Sequence, residues 1–222
     1  SQLDMDRLDY LKRDSFYTGV AEGNINAGRL ITMLNVANGE LVVEEKGIYS
    51  VEKFLMARRF MYWQVYLHKT GLVAEQLLIR TLQRAKELAD MKYELACSPA
   101  LIFFLKNKID KENFNKEVLG HFANLDDTDI LAAIKQWQHS TDFVLSKLCG
   151  MILNRRLLNI KLRNKPEKDD RFEALSKGFK AKYELSDEET SYFVFRGIIE
   201  NKAYNRLDQN INILRSNGKL LD

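Results

Sequence analysis

Apolar positions recur at three- and four-residue intervals through most of the first 156 residues, the spacing of helices with one face turned to a core. The first such element is predicted over Asp4–Tyr17 and stops near Gly19. A second is predicted over Asn24–Leu34, with Asn24 or Asn26 as its cap. Two short apolar runs then flank Asn38-Gly39, the dipeptide that suits a tight hairpin turn. Ser50–Lys69 is predicted as a helix capped by Ser50, in which Phe54, Arg58, Tyr62 and Tyr66 share a face. Gly71 interrupts the pattern, and Leu72–Leu88 continues as a helix. Ser98-Pro99 reads as a cap followed by a first-turn proline. Further helices are predicted from Asp126–Thr128 to Trp137, and from Ser140 or Thr141 to about Asn154.

The texture changes after Arg156. Leu157–Leu162 alternates as a strand does, and Arg163–Arg171, with Pro166, reads as a linker. Phe172–Tyr183 reads as a helix, Tyr192–Ile199 and Ile211–Leu214 as strands, and Ser216–Lys219 as a turn. The predicted fold class is therefore mainly α. A multi-helix body with a short β-hairpin spans residues 1–156, and a small α+β appendage spans 157–222. The chain opens on Ser1 without a leader-like segment and ends just past a turn, so it reads as a piece of a longer protein.

Composition narrows the class without naming a function. Apolar residues at 45% and charged residues at 29% suit a globular chain with a real core, and two prolines in 222 residues favour long helices. No apolar run is long enough to span a bilayer. A net charge of +3 is too mild to argue for a nucleic-acid or membrane partner. Cys97 and Cys149 match no metal or redox spacing and read as reduced core residues, which points to a cytoplasmic location. His121 and His139 have no candidate partner nearby and read as structural or surface residues, whereas His68 lies close to the conspicuous Tyr66.

Two helices carry the candidate chemistry. One presents Asp6, Arg7, Tyr10 and Asp14, and the other presents Arg58, Tyr62 and Tyr66. A guanidinium forks onto phosphate oxygens, a tyrosine ring packs on a sugar, and a carboxylate accepts from a hydroxyl or ligates a hard cation. The same pattern also fits a solvated, ion-paired helix face over a row of core aromatics. Spacing alone leaves both open.

Leu-Asp-Met-Asp-Arg-Leu-Asp-Tyr-Leu-Lys-Arg-Asp-Ser resembles the last metal-ligand motif of the HD-domain phosphohydrolases, and among them the deoxynucleoside triphosphate triphosphohydrolases. The likeness continues through Gly19, Arg29 and the Arg-x₇-Tyr-x-His-Lys-x-Gly pattern from Arg58 to Gly71. The resemblance implies hydrolysis of a dNTP to deoxynucleoside and triphosphate. It implies a divalent cation (Mg, Mn, Fe or Zn) with Asp6 as one ligand, and a homo-oligomer, dimer or tetramer. It also implies that Arg7 and Arg58 touch the triphosphate, Tyr10 lies beside sugar and phosphates, Asp14 reads the 3′-hydroxyl and Tyr66 packs under the deoxyribose. Arg29 falls where some members bind an activating nucleotide, but Asn26 replaces an acid there. Leu67 replaces a polar residue, which leaves the base preference open. The family's upstream His and His-Asp ligands are not in this sequence, so the chain resembles the C-terminal part of such an enzyme and is expected to be inactive alone. An HD-type phosphohydrolase acting on other nucleotides or phosphoesters, or a non-catalytic helical interaction module, are the alternative readings.

Overall fold

The structure is a computed structural model, and residues 3–163, 169–199 and 210–221 are described. Ten α-helices and four short strands are present among them, a mainly helical fold with one small sheet. Packing divides the chain into two compact units, Ser1–Gly71 with Ile198–Asp222, and Leu72–Gly197. Residues 157–222 are thus shared between the units.

The first unit opens with α1 (Met5–Thr18), begun by Asp4, whose carboxylate accepts from the Arg7 amide at 2.8 Å, and ended by Gly19 at φ 72°. A 3₁₀ turn (Ala21–Gly23) leads to α2 (Ala27–Thr32), capped by Asn26. Strands β1 (Leu34–Ala37) and β2 (Glu40–Glu44) form the predicted hairpin. Asn38 and Gly39 take φ 53° and 77°, both left-handed as a type I′ turn requires. After a second 3₁₀ turn (Glu45–Gly47), α3 runs from Ile48 to Met61 and widens into a π turn over Tyr62–Tyr66. Helix α3 starts earlier than Ser50 because the chain is already turning at Gly47, where a Cβ would stand 2.6 Å from Val43 Cγ1. Near the other end of the chain, β3 (Ile213–Leu214) pairs parallel to β2, and β4 (Leu220–Leu221) pairs antiparallel to β3. The predicted turn between them places Gly218 at φ 79°. Leu8, Leu11, Leu30, Phe54, Met61 and Ile211 form the buried core of this unit.

The second unit takes most of α4 (Lys69–Asp90), then α5 (Pro99–Lys106), α6 (Lys116–Ala123), α7 (Asp127–Trp137), α8 (Phe143–Leu153), α9 (Asp169–Tyr183) and α10 (Asp187–Ser191). Ser98 caps α5 as expected, and Asp126 with Asp129 closes a capping box on α7. Gly71 does not interrupt: α4 runs through it. Two of the predicted strands are absent. Leu157–Leu162 finds no ladder partner; Leu157, Leu158 and Ile160 pack instead against the core around Leu77, Val144 and Leu148. Tyr192 and Phe193 are buried in that same core directly after α10, and 192–199 run as turn and irregular backbone in place of the expected strand. Residues 164–168 of the expected linker, Pro166 included, lie outside the described residues. No helix among the described residues is long and apolar enough to cross a membrane. Cys149 is buried and Cys97 half-buried, both as free thiols; burial pushes the Cys149 thiol up to about 12.

Among the described residues of this unit, Arg84 and Asp142 form a buried ion pair. Arg84 Nη2 and Nε donate to the Asp142 carboxylate at 2.6 and 3.2 Å, with the two side chains 10% and 11% exposed. Asp142 also caps α8 by accepting from the Leu145 amide. Removing one member leaves a buried charge without its counterpart, so Asp142→Ala is expected to cost about 3–5 kcal/mol. Asp142→Asn, which keeps the cap, is expected to cost less. Urea unfolding of the two variants checks both the size and the order.

Candidate functional site

Helices α1 and α3 meet through a close approach that their sequences allow. At Gly23 a Cβ would stand 2.4 Å from Met61 Sδ and 3.0 Å from Ser15 Cβ, so a larger residue there would force the Met61 side chain to move. Ser15 donates its hydroxyl to the Val20 carbonyl at 2.7 Å, tying the end of α1 to the turn. Leu8 and Leu11 of α1 are buried in one core with Phe54, Ala57 and Met61 of α3, and Tyr10 and Asp14 lie half-buried beside them.

The contact brings together most of the predicted residues. Tyr66 donates its hydroxyl to Asp14 Oδ2 at 2.7 Å, a bond across 52 residues of sequence. The Tyr10 and Tyr66 rings meet edge to face at 6.1 Å between centroids, and Tyr62 meets Tyr66 the same way at 5.2 Å. The Arg58 guanidinium stands 5.7 Å from the Tyr62 ring centre. Burial pushes the Tyr10 phenol up, against the Arg58 and Arg7 charges and a hydrogen bond from Arg58, which pull it down. Burial first, then the bond to Asp14 and its charge, push the Tyr66 phenol well above its ordinary range. Both tyrosines are therefore neutral donors at physiological pH.

The arginines are the unusual feature. Arg58 is 5% exposed, and its Nε and Nη1 have no hydrogen-bond partner. Arg7 Nη1 is likewise buried and unpartnered, although its Nε lies 3.6 Å from Asp4. Buried donors are nearly always satisfied in folded proteins, and each one left open costs about 1–3 kcal/mol. Three open guanidinium nitrogens beside two neutral phenols and a carboxylate make an arrangement that can accept a polyanion carrying a hydroxyl.

Asp6 stands apart. It is exposed one turn before Tyr10, and no hydrogen bond or ion pair joins it to the cluster among the described residues. No three His, Cys, Asp or Glu side chains converge among the described residues, so one carboxylate alone does not fit a divalent-cation site. His68 is exposed and uses Nδ1 to accept from the Thr70 amide at 3.3 Å. His121 stacks on Phe103 at 4.0 Å and His139 is exposed. Arg29 is exposed at α2, where its amide donates to Asn26.

Tyr62 is given no role by the motif resemblance. Its position between Arg58 and Tyr66 follows from the four-residue spacing, but its alignment with them depends on the π turn. The Leu67 amide donates to the Tyr62 carbonyl at 2.8 Å, five residues back. That wider turn offsets the drift that four-residue spacing accumulates on a 3.6-residue helix.

Comparison with known proteins bears on the class of the chain. Residues 25–98 match the family described as the HD associated region. A phosphohydrolase of Bacteroides thetaiotaomicron superposes with a TM-score of 0.89 at 49% identity, covering 99% of this chain and 55% of that one. The Bacillus subtilis protein YwfO is 36% identical over 157 residues, 71% of this chain and 35% of its own length. A hypothetical protein of Aquifex aeolicus shares the fold with a TM-score of 0.57 at 23% identity. The chain spans about a third of YwfO and just over half of the Bacteroides protein.

The two phenols also make stability depend on pH. Their folded-state pKa values lie above the unfolded value near 10, so the folded state keeps protons that the unfolded state releases. Stability is expected to be intact below about pH 10 and to fall as pH rises beyond it. Tyr66→Phe is expected to flatten that fall, as read by urea unfolding at a series of alkaline pH values. Over the same series the unaltered chain is expected to lose stability more steeply.

By sequence, residues 25–98 are similar to the HD associated region, and almost the whole chain superposes on about half of a bacterial phosphohydrolase.

Proposed function

We propose that this chain is the nucleotide-gripping part of a phosphohydrolase whose reaction is hydrolysis of a dNTP to deoxynucleoside and triphosphate. The observation that carries the reading is the set of buried, unpartnered nitrogens on Arg7 and Arg58. A triphosphate supplies the acceptors they lack, and a planar guanidinium binds phosphate oxygens two at a time. Asp14 has one oxygen engaged by Tyr66 and keeps the other for a sugar hydroxyl. Tyr66, whose ring meets Tyr10 edge to face, would pack under the deoxyribose, where a 2′-hydroxyl is disfavoured. The name of the Bacteroides relative supports the general class, phosphohydrolase.

A divalent cation belongs to the same proposal as the group that would activate water and neutralise phosphate charge. This chain offers Asp6 to it and no complete site among the described residues. Its own residues account for binding and orientation of the nucleotide. Residues 1–156 are proposed as the portion that belongs to the enzyme's helical domain, and assembly as a homodimer or homotetramer is part of the reading.

The test uses the chain in its full-length form, incubated with each dNTP and a panel of divalent metals. Release of inorganic triphosphate is expected, with Arg58→Ala lowering turnover about a hundredfold, as loss of a preorganised charge-stabilising donor does. Asp6→Ala is expected to reduce both bound metal and turnover. Release of orthophosphate alone would move the chain to a different phosphohydrolase reaction. Unchanged turnover in both variants would point to a non-catalytic module.

A further inference from the structure

We propose that Tyr62 is the positioning residue for Arg58, holding its charge by the ring face so that the guanidinium donors stay open for phosphate. The inference rests on reading Arg58 as a phosphate-gripping residue. A buried guanidinium is ordinarily fixed by a carboxylate, as Arg84 is by Asp142 in this same chain. Such a partner consumes the donors that it orients. Arg58 is more deeply buried than most arginines, at 5% exposure, yet no carboxylate bonds it among the described residues. The polar groups beside it are phenols: Tyr10, within hydrogen-bonding reach, and Tyr62, whose ring centre lies 5.7 Å from the guanidinium carbon.

An aromatic face attracts a cation through its quadrupole and accepts no conventional hydrogen bond from it. It can therefore hold the charge in place while leaving Nε and Nη1 unpaired, which is the state observed. The ring is itself held. Tyr62 packs edge-on against Tyr66 at 5.2 Å, and its carbonyl is fixed by the Leu67 amide in the π turn. Tyr66 in turn is bonded to Asp14. The chain of contacts runs from the sugar-facing acid through two tyrosines to the phosphate-facing arginine, so the separation of the two binding groups is set by the protein before any ligand enters.

The ring is the working part, and the Tyr62 hydroxyl is not. Binding of inorganic tripolyphosphate to the 222-residue chain is measured by calorimetry, with thermal unfolding in parallel. Tyr62→Phe is expected to bind within about twofold of the unaltered chain, whereas Tyr62→Leu is expected to bind about tenfold more weakly while unfolding at the same temperature as Tyr62→Phe. Arg58→Lys, which keeps a charge but loses the fork, is expected to lose most of the binding. If Arg58→Lys weakens binding and Tyr62→Leu does not, the inference about Tyr62 fails and the reading of Arg58 stands. Equal weakening by Phe and Leu also overturns it, since the hydroxyl would then be responsible. No tripolyphosphate binding by the unaltered chain, or none lost in Arg58→Lys, overturns the reading of Arg58 itself.

Discussion

A guanidinium that is almost wholly buried and only partly hydrogen-bonded is costly, and Arg58 is in that condition in the first unit. Taking a charge out of water costs several kcal/mol even after relaxation, and each open donor adds to it. The surrounding core must over-determine that position for it to persist. It does so with Phe54 and Met61 fully buried on the same helix, and with α1 docked alongside through Leu8 and Leu11. The core of this unit sustains that cost, and under the proposed function the phosphate oxygens of the nucleotide would supply the missing acceptors.

Two local devices make that placement possible. Gly23 lets the turn after α1 lie close to Met61 and Ser15, whose side chains a Cβ there would meet. The π turn keeps Tyr66 in line with Arg58 and Tyr62 after two four-residue steps, where a continuous α-helix would have rotated it further. Under the proposed function, such devices would fix beforehand the spacing of groups carried on separate helices.

Much of this was legible in the sequence because it rests on local rules. The Asn26 cap, the Gly19 stop, the Asn38-Gly39 turn and the Ser98-Pro99 start each rest on nearby backbone groups, so a few residues suffice to predict them. The grouping of Tyr10, Asp14, Arg58 and Tyr66 came from helical phase and from family resemblance, and these four do lie together. What failed was non-local. Alternation in Leu157–Leu162 signals two-sidedness, but a strand also needs a partner, and none is supplied there. Conversely, β3 is two residues long and owes its existence to β2, more than 160 residues earlier. The π turn left no trace in the pattern, since its hydrogen bond is set by packing around Tyr62 rather than by residue type. Tyr192 illustrates the same limit: it reads as a strand residue, yet its hydroxyl bonds Glu87 and its ring is buried after α10.

The two groups of charged side chains in this chain solve opposite problems, and the contrast clarifies what the first unit is built for. In the second unit Arg84 meets Asp142 and Glu87, while Tyr192 donates to Glu87, so the donors find acceptors and the network rigidifies its surroundings. In the first unit the carboxylate nearest the cluster, Asp14, is engaged by Tyr66 and is not bonded to either arginine. A sequence that could have paired Arg58 with an acid instead surrounds it with phenols, which are polar enough to sit beside a charge and too weakly basic to neutralise it. An arrangement that withholds the counter-ion lowers its own stability, a cost the proposed nucleotide binding would explain, since the triphosphate would bring the counter-ion.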